Sequence, residues 1–272
     1  MAATPKALQA VQQAWELTPN DRKPLFSFRE YQPNYLLPLR YTTSTNPNPQ
    51  SPTHPNTLTK PTQAYEVRFQ LSFKTQLKHH LFGSPINAWF AYTQQSNWQF
   101  YNTQQSAPFR ESNYQPAFIL NLPTQLSWAS IDIPAINFGI VHQSNGQAGT
   151  YSRSWNRIYT QAFMTHQQWL VDMKLWYRLP ESRRNDDNPD ILNYLGNEQL
   201  TITYLQEHSS FSLTSRYSFS GKRGSMRANL TFPINGHLKA YIELFDGYGE
   251  TLIDYNHYQH IIAAGFELST WH

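Results

Sequence analysis

The sequence predicts an all-β chain closed into a transmembrane antiparallel β-barrel of about twelve strands, and three observations predict it. Segment after segment alternates apolar and polar residues at period two, the pattern of a strand with two unlike faces. Charged residues make up only 14 % of the chain while aromatics reach 15 %, and the mean hydropathy of −0.62 is carried by many Asn, Gln, Ser and Thr. Such a composition suits a sheet with one apolar and one neutral polar face. Aromatics also gather near the ends of the alternating segments (Tyr65, Trp89, Trp98, Trp155, Trp169, Tyr177, Tyr248, Trp271), where the girdles of a membrane protein sit. No apolar run approaches the roughly 20 residues of a membrane helix. That excludes helical spans but not barrel strands of about 9–11 residues.

The totals narrow the function classes. A chain of 272 residues has room for one large all-β unit or two small domains, and the composition favours one. Cysteine is absent, so there is no disulfide framework and no thiolate metal site, which suits an oxidising compartment. The net charge of +3 is small and scattered, and no basic stretch alternates with aromatics, so nucleic acid is not an expected partner. The start, Met1-Ala2-Ala3-Thr4, has no apolar h-region; export is expected to involve a signal peptide removed beforehand, with Met1 added for expression.

Taken in order, residues 1–33 read as an N-terminal periplasmic tether, with one short helix-like piece from Lys6 to Leu17, ahead of a barrel over 34–272 that carries the site. Asn34 to Tyr41 is the first strand, with Tyr35, Leu37, Leu39 and Tyr41 in alternation. Residues 42–62, rich in Pro, Thr and Asn, form a loop. Tyr65, Val67, Phe69, Leu71 and Phe73 then oppose Glu66, Arg68, Gln70 and Ser72. The same alternation recurs in Trp169–Tyr177, Gln199–Tyr204, Phe211–Phe219, Met226–Phe232 and Leu238–Leu244. Segments near 87–95, 116–122 and 260–270, with the hairpin described next, bring the count to about twelve, an even number as bacterial barrels require. Charges repeatedly fall opposite the aliphatics. In a soluble sandwich or lipocalin-like barrel that face meets water; in a membrane barrel it lines the interior.

The chemistry gathers between Ile136 and Thr160. Ile136, Phe138 and Ile140 define an apolar row that His142 and Ser144 continue, and a turn follows at Gly146, Gln147, Ala148 and Gly149. A hairpin symmetric about residue 149 sets His142 opposite Asn156 and Ser144 opposite Ser154. Opposed residues have Cβ atoms about 4.5–5.5 Å apart. A hydroxyl, an imidazole and an amide then share one patch, the geometry of a nucleophile, its base and the group that orients the base. The bland alternative is a polar cap on the strand ends, and polar groups on an apolar row cost free energy unless they bond one another.

The blocks HQSNGQ (142–147) and SRSWNR (152–157) resemble outer membrane phospholipase A. Blocks at Tyr92–Asn102, Ser106–Pro116, Asp186–Tyr194 and Asp246–Asn256 extend the resemblance over roughly residues 65–268, while residues 1–60 carry little of it. The resemblance implies a calcium-dependent phospholipase, a serine hydrolase of A1/A2 type, in a Gram-negative outer membrane. It acts on glycerophospholipids and lysophospholipids as a reversible homodimer. It implies Ser144 as nucleophile, His142 as base, Asn156 as the group that orients the base, and the Gly146 N–H as oxyanion donor. For Ca2+ it implies Ser106 from across a dimer interface, the Ser152 hydroxyl, the main-chain carbonyl of residue 147 and Asp187, all oxygen donors as a hard cation prefers. Gln147 stands where the family pattern has Arg, which leaves the carbonyl intact. Gln94, on the apolar row of Ala88, Phe90 and Tyr92, matches the family's dimer contact. The chain ends on Trp271-His272 where barrel proteins usually finish on Phe. The rival reading from the residues is a non-enzymatic outer membrane barrel, a porin or adhesin; a soluble sandwich esterase is the third.

Overall fold

A computed structural model describes residues 4–57, 59–182 and 184–268. The chain end at Trp271-His272 lies outside the described residues, as does Arg183. Twelve strands follow in chain order: β2 (Asn34–Thr42), β3 (Tyr65–Lys78), β4 (Asn87–Trp98), β5 (Phe109–Trp128), β6 (Ile131–Ser144), β7 (Ser154–His166), β8 (Trp169–Arg178), β9 (Glu198–Leu205), β10 (Ser210–Ser218), β11 (Arg223–Asn235), β12 (Leu238–Gly247) and β13 (Gln259–Leu268). Each pairs antiparallel with its neighbour in sequence, and β13 pairs back onto β2, so the sheet closes. Closure removes the unpaired edges that an open sheet would present. A short β1 (Phe28–Glu30) that the alternation pattern does not announce adds to β3.

The two faces of the barrel invert the arrangement of a soluble protein. On β3, Glu66, Arg68, Gln70 and Ser72 are buried, whereas Tyr65 and Leu71 are each 56 % exposed. Across the barrel, large apolar side chains such as Leu230, Leu244, Ile262 and Phe266 stand on the exterior. Only a nonpolar surround makes that favourable, so the outer wall is a lipid face and the soluble-sandwich reading falls away. Among the described residues no helix is long and apolar enough to cross a membrane.

Inside, charge is held by charge. Arg68 donates to Glu243 at 2.7 Å, to Glu250 at 2.8 Å, to the Gln95 carbonyl oxygen and to the Tyr35 hydroxyl. Arg40 and Arg110 share Glu66, and Arg110 also reaches Asp254. Removing one member of such a buried set strands the others, at roughly 3–5 kcal/mol. A cavity of about 410 Å³ remains in the lumen, lined by polar groups including Gln115, Lys174, Arg216 and Asn229.

The two ends differ. At one end the connections 129–130, 167–168, 206–209 and 236–237 are tight and 79–86 is the longest, while at the other 43–64, 99–108, 145–153, 179–197 and 248–258 are long and only 219–222 is short; bacterial barrels keep short turns on the periplasmic side and long loops outside. The helix-like piece near the N-terminus is α1 (Lys6–Trp15), and it sits in the short-turn end of the barrel. Ala7, Val11 and Trp15, spaced by four, form a buried stripe. Trp15 packs edge-on against Trp89 at 5.7 Å, and the Lys74 ammonium lies 3.7 Å over its ring. The Ala7 N–H donates to the Gln167 carbonyl at 3.0 Å. Within the stretch expected as a tether, the helix Lys6–Trp15 is therefore docked into the lumen, because its narrow apolar stripe finds an apolar wall there, whereas residues 22–26 that follow are exposed.

Candidate active site

The β6–β7 hairpin adopts the register that symmetry about residue 149 predicts. Ile140 faces Ile158, His142 faces Asn156 and Ser144 faces Ser154. Phe138, Ile140 and Ile158 are 46–49 % exposed on the outer wall, and His142 is exposed beside them. Val141, Trp155 and Tyr159 point the other way and are buried. The His142 Nδ1 lies 2.9 Å from the Asn156 Oδ1. An amide oxygen only accepts, so the Nδ1 carries the proton, and in the neutral ring the Nε2 is then the nitrogen with the lone pair. Ser144 lies two residues further along the same row, about 7 Å of strand. Among the described residues its hydroxyl has no hydrogen-bond partner.

The lumen side holds this outer patch in place. Trp155 Nε1 donates to the Gln143 Oε1 at 2.9 Å, and an Arg157 guanidinium nitrogen donates to the same oxygen at 3.0 Å. The Arg157 guanidinium also stacks over the Trp155 ring at 3.9 Å. Gly139 belongs to this packing: a Cβ there would lie 2.4 Å from the Tyr159 ring.

Beyond Ser144 the chain turns through Gly146 at φ +64° and Gly149 at φ +63°, the left-handed region that favours glycine. A Cβ on Gly146 would stand 3.0 Å from the Tyr114 ring, so glycine serves both dihedral and space. Among the described residues the Gly146 N–H donates to no partner. Buried Asn145 stitches the turn: its side-chain oxygen accepts from the Arg153 N–H at 3.0 Å and its amide donates to the Tyr151 carbonyl at 2.8 Å. The sequence reading passed over Asn145, although an Asn at the mouth of a glycine-containing turn is a known way of closing one.

Of the oxygen donors implied for calcium, the fold brings two together. The Ser152 hydroxyl donates to the Asp187 Oδ2 at 2.7 Å, and Ser154, which is not in the calcium set the resemblance implies, reaches the same oxygen at 3.3 Å. Asp187 is further held by Ser51, whose hydroxyl donates to its main-chain carbonyl at 2.6 Å, and by His54 at 3.6 Å from its carboxylate. The Gln147 side chain turns inward and donates to Glu111 at 2.8 Å. Ser106 sits exposed on the 99–108 loop at φ +58°, and among the described residues no hydrogen bond joins it to Ser152 or Asp187. Among the described residues no group of three or more His, Cys, Asp or Glu is arranged so that it could hold a metal ion. Hydroxyl, carboxylate and carbonyl oxygens nevertheless make up the donor set a calcium ion takes.

Gln94 lies on the same outer row. Gln94 faces Tyr114, Tyr114 faces Ser144, and Ser144 faces Ser154, so the amide stands two strands from the serine. Within the chain it accepts from the Tyr92 hydroxyl and donates to Ser96, each at 3.2 Å.

Another polar contact lies behind Asn156. The Asn156 amide nitrogen donates to the Glu181 Oε1 at 3.1 Å. Burial pushes the Glu181 carboxyl above its ordinary range, against the pull of the Asn156 hydrogen bond and of Arg178.

Comparison with known proteins places this site in a family. The family model described as Phospholipase A1 matches residues 11–268. The chain belongs to the phospholipase A1 family. The family match begins at residue 11, so residues 11–60, which carry little of the motif resemblance, lie within it as well. A putative phospholipase A1 of Neisseria meningitidis serogroup B is 39 % identical over 263 residues, covering 92 % of this chain and 68 % of that protein. The Salmonella typhi outer membrane phospholipase dimer with bound calcium superposes with a TM-score of 0.84 at 32 % identity, over 98 % of this chain and 99 % of that one. The N156A active site mutant of Escherichia coli outer membrane phospholipase A gives 0.83 at 30 % identity, over 99 % and 100 %. This member of the phospholipase A1 family is thus an outer membrane barrel, and the non-enzymatic porin reading has no further support.

Proposed function

We propose that the chain hydrolyses acyl ester bonds of glycerophospholipids and lysophospholipids by a Ser144-His142-Asn156 triad on the lipid-facing wall. The observation that carries this reading is the His142–Asn156 hydrogen bond, which leaves an imidazole lone pair on the row that holds Ser144. The His142 Nε2 takes the Ser144 proton as the hydroxyl attacks the ester carbonyl, and hands it to the departing lysolipid oxygen. Water then attacks the acyl-enzyme by the same route. The Gly146 N–H, which has no partner among the described residues, supports the developing oxyanion, as in other acyl transfers. Asn156 fixes the imidazole tautomer without adding a charge at the bilayer edge.

The oxygen donors at Ser152 and Asp187, with the carbonyl of residue 147 and Ser106 of a second copy, would hold calcium. Bound there, it would add positive charge near the oxyanion. The calcium-bound dimer of the Salmonella typhi protein supports this assignment. An outward site on one barrel has no walls for an acyl chain, so pairing of two barrels through Gln94 supplies the cleft and gates activity by dimerisation. Measuring fatty-acid release from phosphatidylcholine in detergent micelles, with calcium and then with chelator, tests the reading. Ser144→Ala is expected to lose release while the barrel stays folded; undiminished release from that variant would sink it.

A further inference from the structure

We infer that Glu181 is a positioning residue of the hydrolytic site, setting the tautomer of His142 through the orientation of the Asn156 amide. The inference rests on the proposed triad and extends it by one group. An Asn side chain has a donor end and an acceptor end, and only its surroundings decide which faces which neighbour. Here the Asn156 amide lies between an imidazole nitrogen at 2.9 Å and a carboxylate oxygen at 3.1 Å. An ionised carboxylate has no proton to give, so it draws the amide nitrogen to itself. That leaves the Asn156 oxygen facing His142, which in turn requires the proton on Nδ1 and leaves Nε2 basic toward the serine row. Without Glu181, the amide loses the partner that opposes a flip. The flipped amide would donate to Nδ1, put the imidazole proton on Nε2 and remove the base.

The chain delivers Glu181 to this spot by construction. Arg178 pairs with Arg157 at the end of β8, and the Leu179 N–H then donates to the Asn156 carbonyl at 2.8 Å, carrying the ladder one step past the strand. Pro180 keeps the next step extended. Asn185 and Asp186 both donate backbone N–H groups to the Ser182 carbonyl, closing the turn immediately after Glu181. The side chain is half-buried and outside the strands, where its deletion leaves the barrel wall untouched.

The test uses the full chain in detergent micelles, reading kcat and KM for release from phosphatidylcholine at saturating calcium, and calcium half-saturation from a calcium titration. Glu181→Ala is expected to lower kcat about 10–100-fold, the range for outer partners that orient a site ligand, with KM and calcium half-saturation unchanged. Glu181→Gln keeps an acceptor oxygen and is expected to stay within about threefold of the parent. The decisive arm is a reversal of sign. Asn156→Asp sets a second carboxylate beside Glu181, and two such charges in contact cannot both ionise freely. Adding Glu181→Gln to that variant is expected to raise kcat, although the same change slightly lowers it in the parent. Unchanged kcat in Glu181→Ala, an effect confined to calcium half-saturation, or no gain in the double variant would each overturn the inference. Ser144→Ala, run alongside, separates its failure from that of the triad: residual release there condemns the triad, whereas a dead Ser144→Ala with indifferent Glu181 variants condemns only this residue's role.

Discussion

On the inner face of the β6–β7 hairpin, Trp155 and Arg157 both donate to Gln143, Asn137 is hydrogen-bonded between Asn121 and Gln161, and Tyr159 fills the space that Gly139 leaves. On the outer face of the same hairpin, His142 and Asn156 share one hydrogen bond, and among the described residues the Ser144 hydroxyl has none. Stability and chemistry are thus divided between the two sides of one sheet. The lumen wall is over-determined, and it fixes the backbone from which the sparse outer groups project. A site facing lipid has no second layer of protein to support it, so its precision comes through the strand from behind. Loops do the remainder: the 179–197 connection brings Glu181 and Asp187 to the outer row.

If that division holds, variants on the two faces must separate cleanly. The widest gap is expected between Ser144→Ala and Arg68→Ala. The first should lower fatty-acid release by roughly 10³-fold or more while the thermal unfolding of the barrel shifts by less than about 0.5 kcal/mol. The second strands Glu243 and Glu250 in the lumen and should cost about 3–5 kcal/mol of stability, read by heat-dependent gel mobility, with activity per folded molecule nearly intact. An Arg68 variant that folded as well as the parent would break the comparison on its inner side. Asn156→Ala is next. It removes a hydrogen bond to an imidazole that becomes charged during reaction, worth about 1.5–3 kcal/mol, so kcat should fall about 10–150-fold. Asp187→Asn takes one charge from the oxygen cluster and is expected to raise the calcium needed for half-maximal activity about tenfold without lowering the rate at saturation. The smallest effect is expected for Gln94→Leu, which should weaken cross-linked dimer by about 0.6–2 kcal/mol, or about 3–30-fold in the dimerisation constant.

Much of this was legible before any coordinates. Period-two alternation needs only neighbours in sequence, and Tyr65 to Phe73 or Leu238 to Leu244 state both faces of their strands outright. The pairing of His142 with Asn156 was legible for a related reason, because symmetry about residue 149 fixes the register of the hairpin. What escaped depends on contacts between distant parts of the chain. The α1 helix was visible as a helix, yet nothing local said that Trp15 would meet Trp89 and Lys74 inside the lumen. Ser154 looked like a bystander until Asp187 arrived from 33 residues away. His54, in a Pro-rich loop with no periodicity, carried no signal that it would come to rest beside that carboxylate.

The sequence by itself therefore determined the strands, their two faces, the closed barrel and the register of the hairpin, because each follows from side-chain alternation and nearest-neighbour pairing. Only the tertiary structure decided which charges meet in the lumen, where α1 docks, and that Glu181 stands behind Asn156. Those contacts join residues far apart along the chain, and closing such loops costs entropy that no local pattern records; it is recovered only when the whole barrel forms.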